Sequence, residues 1–184
     1  MKKINIFYIL GALLVTASLA LLVVNSRQTA AHSAHIAQTA AALDARLPQR
    51  KAAVVGQYGD SEMPVRENEG TDYCALLEVP KTATLLPVAN SWDNASLTPA
   101  RYYGSAYDGT MVIGGSGLGF VTQLDVGDTI TVVDMLGGQF NCTVKRIDRA
   151  KDVDMEKLTS ADSQLTVFCW IAKEKKYVVV RCSG

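Results

Sequence analysis

The stretch DTITVVDMLGGQFNCTVKRID, residues 128–148, contains two apolar or alternating runs separated by a glycine-containing turn. The runs cover residues 128–135 and 139–148, and such runs bounded by turn residues are typical of β-strands. LGG at residues 136–138 supplies the glycines that suit a tight reversal of the chain. The stretch therefore predicts a β-hairpin.

Short runs of the same kind continue on both sides of this hairpin, from about residue 72 to the end of the chain. The candidate strands are 73–79, 83–88, 101–106, 110–114, 128–135, 139–148, 164–170 and 176–182. Weaker helical patterns fit residues 118–124 and 152–158. Eight short strands in about 110 residues predict an all-β fold with minor helices, in the form of a closed or nearly closed barrel.

The N-terminal segment has the composition of a membrane helix. Residues 4–24, INIFYILGALLVTASLALLVV, carry no charge and follow Lys2 and Lys3. Roughly 20 apolar residues cross a bilayer as a helix, and preceding positive charge favours a cytoplasmic N-terminus. A cleaved signal peptide is the alternative, although its apolar region usually spans only about 7–15 residues. We predict an uncleaved anchor over residues 1–25, with the rest of the chain extracellular.

Residues 26–71 are predicted to connect this anchor to a barrel domain over residues 72–184. One narrow apolar stripe recurs there at helical spacing, at Ile36, Ala40, Leu43 and Leu47. It predicts a spacer helix that Pro48 would end, or alternatively a helix that binds a partner. Residues 56–71 carry Gly, Pro and acidic residues without periodicity, which indicates a solvated linker.

Composition and spacing argue against several classes of function. The 18 basic and 18 acidic residues balance, and no block of Lys or Arg is present, so nucleic acid is not a predicted partner. The two histidines, His32 and His35, have no cysteine or acidic residue near them in the sequence, so we predict no metal site. No motif indicates an organic cofactor.

The glycine-rich stretch MVIGGSGLGF, residues 111–120, does not match two well-known motifs. Its glycine spacing differs from the dinucleotide fingerprint, and Leu118 stands where a nucleophile elbow has its last glycine. Ser116 has no histidine in the predicted barrel domain to act as its base. A serine hydrolase is therefore not predicted.

The four cysteines, Cys74, Cys142, Cys169 and Cys182, all lie in the predicted extracellular domain. Disulfides persist outside the cytoplasm, and four cysteines allow three full pairings. Cys142 and Cys182 also fit buried free thiols. The sequence leaves these alternatives open.

The strand QLTVFCW, residues 164–170, places Cys169 and Trp170 on opposite faces, because side chains alternate along a strand. Arg181 lies on the following predicted strand. A thiol acts as a nucleophile only when ionised, which a nearby cation favours. Cys169 and Arg181 are therefore either a nucleophile with its cation or two ordinary strand residues.

Four motifs, taken in order over residues 73–182, resemble those of a sortase, the membrane-anchored cysteine transpeptidase of Gram-positive surfaces, and most of all its class B-like group. LLEVPKTATLLPV resembles the family's opening strands, and PARYYGSAYDGTMVIGG resembles its segment that ends in VIAGH. LDVGDTITVVDMLGGQFNCTV resembles a family hairpin, and LTVFCW with VVVRC resembles the ending TLxTC followed by Arg.

The resemblance implies an eight-stranded sortase barrel behind an N-terminal anchor, and it implies a reaction. In the family, a Cys attacks the Thr–Gly bond of a sorting signal such as LPxTG, a His protonates the leaving amine, and an Arg holds the oxyanion or the substrate. An amine then releases the thioacyl intermediate, which joins the protein to peptidoglycan or pilin. The implied partners are a sorting-signal peptide or surface protein and components of the cell envelope.

This chain departs from the family at two of the three catalytic positions. Arg181 matches the family Arg, but Ser116 stands at the His position. Matching Thr166 to the Thr of TLxTC places Trp170 at the nucleophile and Cys169 one residue early; a match shifted by one residue makes Cys169 the nucleophile. The resemblance thus predicts a pseudo-sortase that binds without transpeptidation, with an active transpeptidase using Cys169 and Arg181 as the alternative. A barrel whose groove is simply filled is the third possibility.

Overall fold

The structure is a computed structural model that describes residues 6–59, 61–92, 98–159 and 162–184. The chain divides into two compact units, one up to His35 and one from Ile36 to Gly184. Helix α1 spans Ile6–Asp44. Within the described residues, its part over Leu13–Asp44 is long and apolar enough to cross a membrane, with a mean hydropathy of 1.2. A signal sequence near an N-terminus has the same properties.

The second unit consists mainly of β-strands. The strands are β1 (Lys51–Ala52), β2 (Arg66–Asn68), β3 (Thr71–Val79), β4 (Thr84–Ala89), β5 (Pro99–Tyr103), β6 (Met111–Gly115), β7 (Thr129–Asp134), β8 (Gly138–Ala150), β9 (Leu165–Ile171) and β10 (Lys176–Ser183). The helices are two 3₁₀ turns at Pro80–Thr82 and Gly119–Gln123 and the short α2 (Met155–Leu158).

Eight of these strands close into a barrel. The sheet order runs β8-β10-β9-β6-β5-β4-β3, and β7 pairs with both β3 and β8 and so closes the ring. The predicted all-β barrel is therefore confirmed, as is the hairpin, in which Val133 of β7 pairs with Gln139 of β8. All eight predicted strands and both helical segments are present, with ends that differ by at most three residues.

Alternation along the strands fills the barrel. In β8, Phe140, Cys142 and Val144 are buried in the main core while Asn141 between them is exposed. Because successive side chains point to opposite faces, each strand contributes about half of its residues to the interior. The same rule separates the interior of the barrel from the outer face that carries the candidate site.

The predicted spacer and linker contribute to the packing of the second unit. Ile36, Ala40 and Leu43 of the apolar stripe are buried. Met63, in the segment that we predicted to be a solvated linker, is also buried, and its Sδ accepts the amide of Ala106. The sequence does not indicate the burial of Met63, because a single apolar residue in a mostly polar segment forms no periodic pattern.

The cysteines are free thiols in the structure rather than disulfides. All four are buried, as we considered for Cys142 and Cys182. Burial raises the pKa of Cys74 and of Cys142 to about 11, and it raises the pKa of Cys182 to about 12.

Candidate functional site

Strand β9 lies between β6 and β10, and the pairing with β10 fixes which side chains share a face. Trp170 pairs with Tyr177, Phe168 with Val179, and Thr166 with Arg181. We call the face that carries these six residues the groove face. Cys169 pairs with Val178 on the opposite face, where Leu165 and Val167 also belong to the barrel core.

The surroundings of Cys169 are those of a core residue. Its side chain is 7% exposed, and its thiol donates to the main-chain oxygen of Trp170 at 3.5 Å. Burial raises the pKa of the Cys169 thiol. Arg181 lies on the other face and three residues beyond the partner of Cys169, roughly 10 Å along the strand at about 3.3 Å per residue. The structure therefore does not bring Cys169 and Arg181 together.

Trp170 lies at the position that the best motif match gives to the nucleophile. Its side chain is 46% exposed, although indole is a large apolar group. Its ring meets the ring of Tyr177 edge to face, with centroids 5.0 Å apart. Such pairs stabilise by roughly 0.5–1.5 kcal/mol beyond the area they bury. The pair leaves one side of the indole accessible at the end of the groove face.

An aromatic cluster covers the middle of the groove face. Phe168 stacks on Trp92 with ring centroids 5.8 Å apart, and Tyr102 contacts both rings edge-on. Gly114 lies beneath them: a Cβ at that position would meet two ring carbons of Phe168 at 2.4 Å. The family motif VIAGH has Ala where this chain has Gly114, and the absent methyl group makes room for the phenyl ring.

Ser116 follows β6 and is exposed beside this cluster. It lines a cavity of about 410 Å³ with residues from β9, β10 and the segment before α2. The lining residues are Trp92, Gly115, Ser116, Asp152, Val153, Met155, Phe168, Cys169, Trp170 and Tyr177. The cavity thus brings together Ser116, Trp170 and part of Cys169, and Arg181 is not among its lining residues.

Arg181 is held by the segment that follows β8. Its side chain is 8% exposed, and Nη2 donates to the main-chain oxygen of Lys157 at 2.6 Å. Its Nε lies 3.9 Å from a carboxylate oxygen of Asp148. Leu158 and Val153 of the same segment pack against Phe168 and Val179. The guanidinium therefore fixes this segment over the groove face, next to a second cavity of about 290 Å³.

The described walls of the larger cavity are mainly aromatic. They offer aromatic rings, the hydroxyl of Ser116 and the carboxylate of Asp152, without an imidazole and without a cation that would ionise a thiol. No group of three or more His, Cys, Asp or Glu side chains that could hold a metal lies within the described parts of the chain.

Sequence reasoning missed several residues of this site, among them Trp92, Tyr102, Asp152, Phe168 and Tyr177. Phe168 had a detectable signal, because it shares the alternation of Trp170 and Thr166 in β9. The others come from segments that approach β9 only in the folded chain, so no local pattern indicates them.

Comparison with solved structures identifies the fold. The Clostridium perfringens sortase D5 transpeptidase matches with a TM-score of 0.53 and 20% identity, over 64% of this chain and 81% of that one. Sortase A from Corynebacterium diphtheriae matches with a TM-score of 0.51 and 18% identity, over 67% of this chain and 62% of that one, less than two thirds of its length. A Clostridium perfringens sortase C, solved with the C-terminal cell wall sorting motif, matches with a TM-score of 0.50 and 18% identity, over 68% and 78% of the two chains.

The chain therefore has the sortase fold, as the motifs predicted. No protein-family model matches the sequence, and no curated protein matches it. The neighbours described above are sortases D, A and C, so the class B-like variety stays a prediction.

Proposed function

We propose that this chain is a pseudo-sortase: a membrane-anchored barrel that binds a sorting-signal-like peptide or an envelope protein without transpeptidation. The observation that carries the proposal is the phase of β9. Trp170 lies on the groove face, and Cys169 lies in the barrel core on the opposite face. An indole has no nucleophilic atom for acyl transfer, so the position that the best motif match gives to the nucleophile carries no group that would attack a peptide bond.

The chemistry of the thiol supports the same proposal. A free cysteine has a pKa of about 8.5, so only a few per cent is thiolate at neutral pH even when it is exposed. Burial moves the pKa of Cys169 further upwards, away from the range in which a nucleophile works. Ser116 at the His position is a far poorer proton donor than imidazole, and general-acid help typically contributes 10²–10⁴-fold.

Binding by the groove is supported by its shape and by one structural neighbour. The cavity has a volume of about 410 Å³, and Trp170 is exposed at its edge. A sortase C with this fold has been solved with a cell wall sorting motif. We infer that a peptide or surface protein of the envelope occupies the corresponding face here.

The apolar part of α1 supports a membrane anchor. Because Lys2 and Lys3 precede it, we propose a cytoplasmic N-terminus and an extracellular barrel. In that location the groove would face cell-envelope components.

The alternative function is an active cysteine transpeptidase that uses Cys169 and Arg181. Its one favourable observation is that part of Cys169 belongs to the cavity wall. For the sulfur to reach the groove, β9 would have to slip by one residue, which would move every side chain of the strand to the other face. Val167 and Leu165 would then leave the core, so the slip is costly.

Turnover assays on the full-length protein in a nonionic detergent separate the two functions. The protein is incubated with an LPxTG-type peptide and an amine acceptor, and the products and the intact protein mass are measured. We expect neither cleavage nor an acyl adduct, and peptide binding that Cys169→Ala leaves unchanged. An acyl adduct on Cys169 that disappears in Cys169→Ala but persists in Cys74→Ala, the matched buried-thiol control, would refute the proposal.

A further inference from the structure

The cavity beside Ser116 is lined largely by aromatic side chains. Trp92, Phe168, Trp170 and Tyr177 come from three separate parts of the chain and all line it. Aromatic rings carry negative charge on their faces, and they attract a cation placed within about 6 Å of the ring centre. Phe168 is buried against Trp92 and Gly114, so Trp170, which is 46% exposed, offers the accessible ring face that would favour a cationic guest over a neutral one.

The charge of the cavity has the same preference. Asp152 is the charged residue among the described lining residues of this cavity, and it also lines the second cavity, whose walls include Arg146, Lys157 and Arg181. One carboxylate oxygen of Asp152 accepts the amide of Val153 at 2.9 Å, and no described cation forms a salt bridge with this side chain. Ser116 adds a hydroxyl that can accept a hydrogen bond. The cavity therefore offers acceptors and π faces to a group that carries positive charge and several donors.

We propose that this cavity binds the guanidinium group of an arginine side chain on the peptide partner. A guanidinium is planar, stacks on aromatic rings and can donate two parallel hydrogen bonds to one carboxylate. It is more weakly hydrated than an ammonium group, so it loses less on entering a cavity with one carboxylate and mostly aromatic walls. The proposal deepens the proposed function, because it rests on peptide binding by the groove and names the side chain that is recognised.

Tryptophan fluorescence measures this binding selectively, because the chain has two tryptophans and both line the cavity. Full-length protein in a nonionic detergent is titrated with the peptide acetyl-Gly-Gly-Arg-Gly-Gly-amide and with two versions that carry citrulline or lysine in place of arginine. Citrulline keeps the shape of arginine and removes its charge. We expect the arginine peptide to bind about tenfold more tightly than the citrulline peptide, and more tightly than the lysine peptide.

Two variants and one control locate the site. Asp152→Asn and Trp170→Ala are each expected to weaken arginine-peptide binding by about tenfold, since each removes one of the two attractive partners. Glu62→Gln removes an exposed carboxylate that does not line the cavity, and it should leave the affinity unchanged. Far-UV circular dichroism checks that each variant keeps its strands.

Several results would overturn the assignment: equal affinity for the citrulline peptide, equal or tighter binding of lysine, no saturable binding, or no effect of Asp152→Asn. If an arginine-free sorting-signal peptide still bound, the proposed function would be retained and only the arginine site would be refuted. Conversely, an acyl adduct on Cys169 with intact arginine selectivity would refute the proposed function and leave the arginine site in place.

Discussion

Replacing Gly114 by Ala tests whether Phe168 fills the groove. The added Cβ would lie 2.4 Å from two ring carbons of Phe168 and 2.9 Å from a ring carbon of Trp92. Carbon atoms in contact lie about 3.5–4.0 Å apart, so the phenyl ring must move by about 1 Å or more. Overpacking of this kind costs about 1–3 kcal/mol. Ala also lowers the conformational entropy of the unfolded chain relative to Gly, which offsets about 0.4–1 kcal/mol of that cost. We expect a net destabilisation of about 1–2 kcal/mol.

Urea denaturation of the full-length protein in detergent measures this cost. Tryptophan fluorescence follows the transition, and the midpoint should fall while the slope stays constant. Gly119→Ala is the matched control, because nothing lies within 4 Å of its added Cβ, so we expect its midpoint to equal or slightly exceed that of the parent, with a gain of up to about 0.4–1 kcal/mol.

A double-mutant cycle assigns the cost to the phenyl ring. In a Phe168→Leu background the shorter side chain leaves room for the methyl group, so Gly114→Ala should cost markedly less than in the parent. If Gly114→Ala were as stable as the parent, or lost the same stability in both backgrounds, the packing of Phe168 on Gly114 would be refuted.

Three further predictions concern side chains around the barrel. Arg181→Ala removes the hydrogen-bond donor to the partly buried carbonyl of Lys157, so we expect the free energy of unfolding to fall by about 1–3 kcal/mol and hydrogen exchange to become faster in residues 155–158. Unchanged exchange in these residues would contradict the role of Arg181 in holding this segment. Tyr107→Phe removes a hydrogen bond of 2.8 Å to the fully buried Asp134 and should lower the free energy of unfolding by about 1.5–3 kcal/mol, measured by urea denaturation, and an unchanged free energy of unfolding counts against that bond. Lys81 holds the pKa of Asp128 below its ordinary value, so the stabilisation by this ion pair is lost as the pH falls through the lowered pKa. In Lys81→Met the pKa of Asp128, measured by NMR titration, should be higher than in the parent, and an unchanged pKa would exclude the pairing in solution.

Local patterns were enough to predict the barrel. Each long strand carries its own alternation and ends at a turn residue, as β7 and β8 do on either side of residues 136–138. β1 and β2 were missed because two or three residues are too few to form a pattern. Tertiary pairing alone makes them strands, since β1 lies along β8 and β2 along β3.

The site was less predictable, because its geometry depends on register between distant segments. Alternation in the sequence separates Cys169 from Trp170. The four-residue offset between Arg181 and the partner of Trp170 follows only from the observed pairing of β9 with β10. The contact of Phe168 with Gly114 likewise requires the parallel pairing of β6 with β9, in which Ile113 lies opposite Val167. Neither Gly114 nor Phe168 is a residue type that would by itself indicate this contact in the sequence.

Thiol accessibility tests the central claim, the phase of β9, most directly. Iodoacetamide labelling at pH 8 with peptide mapping compares native Cys169 with the new thiol of a Trp170→Cys variant. We predict that the thiol at position 170 reacts at the rate of an exposed cysteine, and that Cys169 reacts at least about tenfold more slowly because labelling requires local opening. Labelling of native Cys169 as fast as the thiol at position 170 would contradict the account, because it would place the sulfur on the groove face.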